Sequence, residues 1–167
     1  MGSWEPYSSA NLSKLMTLSQ KISDLGLVLP PAPPAGGVYH PVLQSGNMLY
    51  VSGQGPSRTD GSLITGKLGI DLDTQEGYAA ARQVGLTMLA TIQAHYDLDR
   101  IHRLVKTLGM VNSGPDFHEQ PQVINGYSEL WVELLGDTYG KGARSAVGMI
   151  LPGNIAVEIE AIFELKD

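Results

Sequence analysis

The sequence of 167 residues contains no cysteine. A chain without thiols can form no disulfide, use no thiolate nucleophile and bind no metal ion through sulfur. The histidines offer no substitute, because they lack the spacing of metal ligands; they are His40, His95, His102 and His118. We therefore expect no metal site in this protein.

Charged residues are also scarce, and few of them are basic. They make up 17% of the chain, with 17 acidic against 11 basic residues and a net charge of −6. Such a charge repels a phosphate backbone, and the basic residues form no cluster that could offset it. This argues against nucleic acid as a partner. The low charge density indicates instead that part of the surface is buried in an oligomer.

Long apolar runs are absent as well. No run approaches the roughly 18 residues that mark a membrane-spanning helix. The first six residues, Met-Gly-Ser-Trp-Glu-Pro, also lack the basic and apolar regions of a signal peptide. We therefore expect no membrane partner and a cytoplasmic location.

The first element present is a helical pattern at residues 8–26, in which apolar residues recur along one side. Ser9 or Asn11 can cap its start, and Gly26 can end it. An amphipathic helix of this kind is a packing element. We expect it to cover an exposed edge or to contribute to a subunit contact.

A proline-rich stretch follows at residues 30–37, where four prolines exclude both helix and central strand. Eight such residues between two folded elements are typical of a linker, although they could also serve as a proline-rich binding motif. We therefore predict two parts of the chain. Residues 1–35 form an N-terminal helix and linker, and residues 36–167 form one domain.

The rest of the chain predicts an α+β domain. Alternating apolar residues and turn signals predict strands, and helical spacing predicts two long helices. In chain order, the strands are expected at residues 38–44, 47–54, 63–65, 101–111, 143–151 and 155–165, and the helices at residues 75–96 and 116–136. Two helices against one face of a mixed sheet would bury a two-layer core.

Asp71 and Asp73 stand just before the first long helix. A carboxylate at this position favours the helix N-terminus, because it can accept hydrogen bonds from the free backbone N–H groups there. A metal site is the alternative, but no third ligand stands nearby. We favour the role as helix caps.

The last two strands each carry a charge in an apolar pattern. Pro152-Gly153-Asn154 predicts a turn that would pair them as a hairpin. Desolvation of a charge is costly, so Arg144 and Glu158 either point to solvent or face a wet cleft. In such a hairpin Arg144 would lie opposite about Ile162, and Glu158 would lie roughly 13 Å further along the partner strand. One small acid does not bridge that gap.

Three runs of the sequence are characteristic in combination. They are residues 45–54 (SGNMLYVSGQ), residues 143–147 (ARSAV), and Leu151-Pro152 followed by residues 157–162 (VEIEAI). Together they resemble the RidA/YjgF family of reactive-intermediate deaminases, also catalogued as the endoribonuclease L-PSP group. The resemblance covers about residues 36–165 in the same element order.

The resemblance implies a chorismate-mutase-like α+β fold, a mixed sheet with two long helices on one face, to which this chain adds its N-terminal helix. It implies a homotrimer with small-molecule clefts between subunits. Characterised members add water to 2-imino or enamine acids, such as 2-iminobutanoate or 2-iminopropanoate, and release ammonia as the 2-oxo acid forms. They need no cofactor, so none is expected here.

The resemblance also assigns the two charged residues. Arg144 matches the arginine that binds the substrate carboxylate, a task that suits a planar guanidinium with a permanent charge. Glu158 matches the acidic residue that activates or holds the attacking water. The predicted catalytic pair is therefore Arg144 and Glu158, and the partner is a small substrate with a carboxylate.

Further positions match residues that line the family's cleft. Tyr39 matches its tyrosine after the linker, Ser52 and Gly53 match its strand-end positions, and Asn125 matches a helix asparagine at the cleft border. Ala146 stands where the family usually has a cysteine beside the reaction centre. The resulting hypothesis is a shared site, with Arg144 from one subunit and Glu158, Tyr39 and Ser52 from the next.

The sequence departs from the family in several places, which leaves three hypotheses. The cysteine is absent, the turn after Ile150 is one residue shorter, and an insertion surrounds residues 118–120. An imine deaminase is the first hypothesis, and a trimer that binds small carboxylates without turnover is the second. The third is a ribonuclease, which the acidic composition and the absence of a basic groove disfavour.

Overall fold

The computed structural model describes residues 16–167. In this part of the chain a five-stranded mixed sheet is covered by helices on one face. The strands are β1 (Val42–Ser45), β2 (Met48–Gln54), β3 (Ile101–Asn112), β4 (Ala143–Met149) and β5 (Val157–Leu165), and the helices are α1 (Leu18–Asp24), α2 (Thr74–His95) and α3 (Gln120–Gly140). The order β1-β2-β5-β3-β4 leaves β1 and β4 at the edges. This is the predicted α+β architecture.

The pairing of the last two strands was predicted wrongly. They do not form a hairpin, because β3 lies between them, antiparallel to β5 and parallel to β4. Parallel neighbours need a long crossover, and α3 supplies it between β3 and β4. The turn at residues 152–154 is a short 3-10 segment that carries the chain past the end of β3. Arg144 therefore lies beside Thr107 of β3, not beside Ile162 of β5.

The alternation in β5 is as predicted. Val157, Ile159, Ala161 and Phe163 are buried under the helices. The residues between them point to the opposite face, which no helix or strand of residues 16–167 covers; they are Glu158, Glu160, Ile162 and Glu164. We call this side the open face.

The first helix is shorter than the sequence indicated. Of the predicted span 8–26, residues up to 15 lie outside the described residues, as do the proposed caps Ser9 and Asn11. In the described part, α1 begins only after Thr17, whose hydroxyl and the Gln20 side chain form a capping box. Leu18 and Ile22 pack into the main core. The division of the chain at residue 35 remains a prediction.

The two long helices have well-defined ends. Asp73 caps α2 by accepting a hydrogen bond from the Glu76 N–H at 2.8 Å, and Asp71 accepts one from the Lys67 N–H at 2.8 Å. The cap interpretation is thus confirmed for Asp73, whereas it was wrong for Asp71, whose partner Lys67 lies in the loop before the helix. Helix α3 begins at Gln120, later than expected, and continues to Gly140 past a non-helical Gly136 that was predicted to end it.

Smaller differences concern the strands that precede α2. Strand β1 starts at Val42 and not at Val38, and residues 63–65 form only isolated bridges, from Leu63 to Ser57 and from Thr65 to Ile155. Among the helices of residues 16–167, none combines the length and apolar character required to cross a bilayer.

Candidate functional site

Arg144 lies near the start of the edge strand β4 and points toward α3. Its Nη1 donates to Asn125 Oδ1 at 2.8 Å and to Ser128 Oγ at 3.1 Å, and its Nη2 donates to the Pro121 carbonyl at 3.4 Å. Residues at positions i, i+4 and i+7 of a helix lie on one face. Pro121, Asn125 and Ser128 have this spacing, so two successive turns of α3 present all three acceptors. The guanidinium is thus fixed by neutral groups.

The charge of Arg144 is not compensated by a carboxylate. Within residues 16–167 the ion pairs are Arg82 with Glu133 and Lys141 with Asp137. A guanidinium has five N–H donors, and the three bonds to α3 occupy three of them. Partial withdrawal from water lowers the pKa of Arg144 from its ordinary value, but the group remains charged. Two donors and the charge are therefore available to an anion.

A cleft of about 380 Å³ lies beside this arginine, between α3 and the start of β4. Thr107 and Leu104 of β3 form its floor, and Asn125, Ser128 and Lys141 are part of its walls. A small carboxylate can reach Arg144 in this cleft.

Ala146 lies two residues further along the same face of β4. It is paired with Gly109 of β3, over which Ile124 packs so closely that a Cβ at Gly109 would lie 2.6 Å from the isoleucine side chain. Ala146 is half-buried and packs against the core. We call Asn125, Arg144 and Ala146 the arginine group.

Glu158 lies on the open face of β5. It is paired with Met110 of β3 and packs over Gly53, where a Cβ would lie only 2.2 Å from Glu158 Oε1. A β-bulge between Val51 and Gln54 turns Gly53 toward this carboxylate. Partial desolvation, and then the negative charge of Glu160, raise the pKa of Glu158 above its ordinary value. Such a carboxylate is a stronger base than an exposed one.

Tyr39 and Ser52 lie around the same end of the sheet. The Tyr39 hydroxyl accepts a hydrogen bond from the Gly36 N–H at 3.0 Å, and the Ser52 hydroxyl donates to the His40 carbonyl at 2.8 Å. Tyr39 and Gly53 line one cavity of about 370 Å³, whereas Ser52 lines a separate groove on the open face. We call Tyr39, Ser52, Gly53 and Glu158 the glutamate group.

The two groups lie on opposite faces of the sheet of one chain. Arg144 is level with Thr107 on β3 and Glu158 with Met110, and residues three apart on a strand point to opposite sides. The helix-facing side of β3 carries Thr107, which is buried. A substrate that contacts both Arg144 and Glu158 would therefore need a second chain. The shared site expected from the sequence has the same requirement, although that expectation was derived from an incorrect strand pairing.

Ser128 and the Pro121 carbonyl are contacts of Arg144 that the sequence did not predict, and Ser128 is the side chain of the two. It stands three residues after Asn125, so helical periodicity places both on one face once α3 is known. No cluster of three or more metal-ligating side chains occurs among residues 16–167. The candidate residues are thus a fixed cation on the helix side of the sheet and, on the opposite face, a carboxylate with a raised pKa.

Comparisons with known proteins agree with this fold. Residues 19–157 match the sequence model of the family described as "YjgF/chorismate mutase-like, putative endoribonuclease". The protein TCP17 of Trypanosoma cruzi is 41% identical over 152 residues, which are 90% of this chain and 95% of TCP17.

Two solved structures are similar to different degrees. Atu1372 of Agrobacterium tumefaciens, whose function is unknown, is 40% identical with a TM-score of 0.79, and the match covers 94% of this chain and 97% of Atu1372. RidA of an Antarctic Psychrobacter is 28% identical with a TM-score of 0.55, over 80% of this chain and 93% of RidA. The chain thus resembles Atu1372 more than RidA. Its sequence and fold show that it is a member of the RidA/YjgF family.

Proposed function

We propose that this protein is a homotrimeric hydrolase that deaminates small 2-imino or enamine acids, of the 2-iminobutanoate or 2-iminopropanoate type, to 2-oxo acids. The site is a cleft in which the arginine group of one subunit meets the glutamate group of the next. A cytoplasmic location belongs to the same proposal. The observation that supports it best is that, among residues 16–167, Arg144 has no carboxylate partner and retains two N–H donors without an acceptor.

The arginine group would bind the substrate. A carboxylate accepts two parallel hydrogen bonds from a guanidinium, and Arg144 retains two donors after its three bonds to α3. Because Asn125 and Ser128 hold the guanidinium in place, little conformational entropy is lost when the anion binds. A fixed carboxylate in turn orients the adjacent C=N bond.

The glutamate group would supply the base. Glu158 takes a proton from water while the water oxygen bonds to the carbon of the protonated imine and the C=N electron pair moves to nitrogen. Glu158 then gives that proton to the nitrogen of the resulting carbinolamine, the C–N bond breaks and ammonia leaves. The hydroxyl proton passes to Glu158 as the C=O bond of the 2-oxo acid forms. The raised pKa of Glu158 makes its carboxylate a better proton acceptor than an exposed one, which favours the first of these proton transfers.

Two features support assembly through the sheet. Strand β4 is an edge strand that pairs only with β3 among the described strands, so its outer backbone groups are available to another chain. Arg144 and Glu158 cannot meet within one subunit, because they point to opposite faces. A closed ring with identical interfaces would bring them together in every copy.

A binding protein without turnover is the second candidate. Ala146 supports it, because this position beside Arg144 carries no polar side chain that could help to place water. The ribonuclease activity in the family's description has less support in this chain, whose net charge is −6.

An imine assay separates these candidates. 2-Iminobutanoate is generated in solution, its loss is followed with the wild type and with Arg144→Ala, and 2-oxobutanoate is titrated by calorimetry. Arg100→Ala is the matched control, since this exposed arginine lies outside both groups. We expect turnover that Arg144→Ala abolishes and Arg100→Ala retains. Binding without turnover would favour the second candidate, and a salt-sensitive affinity for RNA would favour the ribonuclease.

A further inference from the structure

A cavity lies beside Tyr39, and the family resemblance alone did not predict it. It measures about 370 Å³, is partly open to solvent, and is lined by residues 33–41, the exit of β2, Leu63, and the turn at residues 152–155. Apolar and backbone atoms dominate its lining. We call it the proline cavity.

The proline cavity adjoins the proposed base. Gly53 is part of its wall, and the same residue packs directly against the Glu158 carboxylate on the open face. The Glu158 carboxylate fills the space that a Gly53 side chain would take, so the base and the cavity lie on either side of this one residue. A substituent on a ligand held at Glu158 is therefore within one residue of the cavity.

The volume exceeds what a methyl or ethyl substituent would fill. One water molecule occupies about 30 Å³ of liquid, so a cavity of about 370 Å³ could hold a ring or a branched chain. Leu63 and Ile155 provide apolar contacts on one side, and the Tyr39 ring provides them on another. Ligand pockets of this size with an apolar lining and few polar groups are typical small-molecule sites.

The walls of the cavity are held in place before any ligand binds. The Ser57 N–H donates to Thr87 Oγ1 of α2 at 3.1 Å, which fixes the exit of β2 to the helix layer. The buried side chain of Asn112 donates to Asn154 Oδ1 at 2.9 Å, which fixes the turn. A cavity with fixed walls loses less entropy when it binds an apolar group than a flexible one does.

We infer that the proline cavity binds the side chain of the substrate, and that the preferred substrates are 2-imino acids with a branched or aromatic apolar side chain rather than the smallest ones. The inference rests on the proposed function, because it places the imine carbon near Glu158. The Tyr39 hydroxyl donates to no acceptor among the described residues, so it can also donate to a ligand at the cavity entrance.

Filling the cavity from its rim tests this inference. Leu63 is half-exposed, so Leu63→Trp can add bulk without disturbing the buried core. Leu25→Trp is the matched control, because Leu25 is similarly exposed and lies in α1's C-terminal cap, outside the cavity. Imines are generated in solution by an amino-acid oxidase from phenylalanine, leucine and alanine. Formation of the 2-oxo acid is measured with and without the protein.

We expect the wild type to accelerate hydrolysis of the phenylalanine-derived and leucine-derived imines more than that of the alanine-derived imine. Leu63→Trp should reduce kcat/KM for the bulky imines about ten-fold or more while the alanine-derived imine changes little. Leu25→Trp should leave all three unchanged. A preference for the alanine-derived imine, or an equal loss for all three in a folded Leu63→Trp protein, would overturn the inference and leave the proposed function intact.

Absence of any turnover would contradict the proposed function instead, and the cavity can then be tested by binding alone. Phenylpyruvate and 2-oxobutanoate are titrated into the wild type and Leu63→Trp by calorimetry. Tighter binding of phenylpyruvate that Leu63→Trp removes selectively would support the cavity as an apolar subsite. Equal or absent binding of both acids would overturn it.

Discussion

The arginine group and the glutamate group are built in contrasting ways. Arg144 stands on an edge strand and is fixed from one side by hydrogen bonds that it donates to neutral groups of α3. Glu158 stands in an interior strand, where packing over Gly53 and the nearby charge of Glu160 raise its pKa. Hydrogen bonds fix the position of Arg144, whereas the surroundings of Glu158 change the pKa of its carboxyl group. Substitutions should therefore affect binding at the first and proton transfer at the second.

Replacement of the base should have the largest effect. Glu158→Gln retains the shape of the side chain but removes its ability to accept a proton, so we expect kcat to fall about 10²- to 10⁴-fold with little change in KM. Steady-state kinetics on an imine substrate measure this. A large rise in KM at constant kcat would mean that Glu158 binds substrate and is not the base.

Substitution of the cation should affect binding first. Arg144→Lys keeps the charge but removes the planar donor pair, and an ammonium cannot reproduce the three contacts with α3. We expect the Kd of 2-oxobutanoate to rise about ten-fold or more, on the scale of a lost charge-assisted hydrogen bond. Calorimetry measures it. Equal affinity of the two proteins would show that the carboxylate binds elsewhere.

Loss of one supporting contact should have a smaller effect. Ser128→Ala removes the 3.1 Å hydrogen bond to Arg144 Nη1 while Asn125 remains, so we expect a cost of about 1 kcal/mol in carboxylate binding. The melting temperature should stay within a few degrees of the wild type.

Ser23→Ala is the control for this variant, because Ser23 is an exposed serine of α1 far from the site. It should change neither affinity nor stability. If Ser128→Ala raises kcat and KM together, the serine restrains the substrate and does not merely position the arginine.

The smallest expected effect is a shift in the pH profile. Activity that needs the deprotonated Glu158 should rise with pH through a pKa above the ordinary carboxyl range, because desolvation and the Glu160 charge disfavour ionisation. Glu160→Gln removes that negative charge, so the acid limb should move to lower pH by less than about one unit. An unchanged limb would assign the titration to another group.

The sequence predicts local structure here better than pairing. The alternation in β5 and the helical spacing in α2 depend on neighbouring residues, so they could be predicted without knowledge of the fold. The insertion of β3 between β4 and β5 depends on contacts far apart in sequence, and the turn at Pro152 to Asn154 gave a local signal for a hairpin. This pairing error displaced the expected neighbour of Arg144 from Thr107 to Ile162.

Two further features differ in how far the sequence could have revealed them. The break before α1 could have been predicted, since Thr17 and Gln20 have the spacing of a capping box, but the apolar stripe favoured a continuous helix. Ser128 could not be distinguished from other helix hydroxyls until the position of Arg144 relative to α3 was known. The family resemblance supplied residue roles that neither periodicity nor spacing could provide.

The central claim is that each site takes its arginine group from one subunit and its glutamate group from the next. Co-production of Arg144→Ala and Glu158→Gln subunits with different tags tests it directly, because each variant alone is expected to be inactive. If subunits combine at random in a shared-site trimer, about one quarter of all sites contain both native groups. Mixed trimers isolated by both tags should then regain about one third of the wild-type activity, because each has one native site of three. Mixed oligomers that remain inactive would contradict the claim.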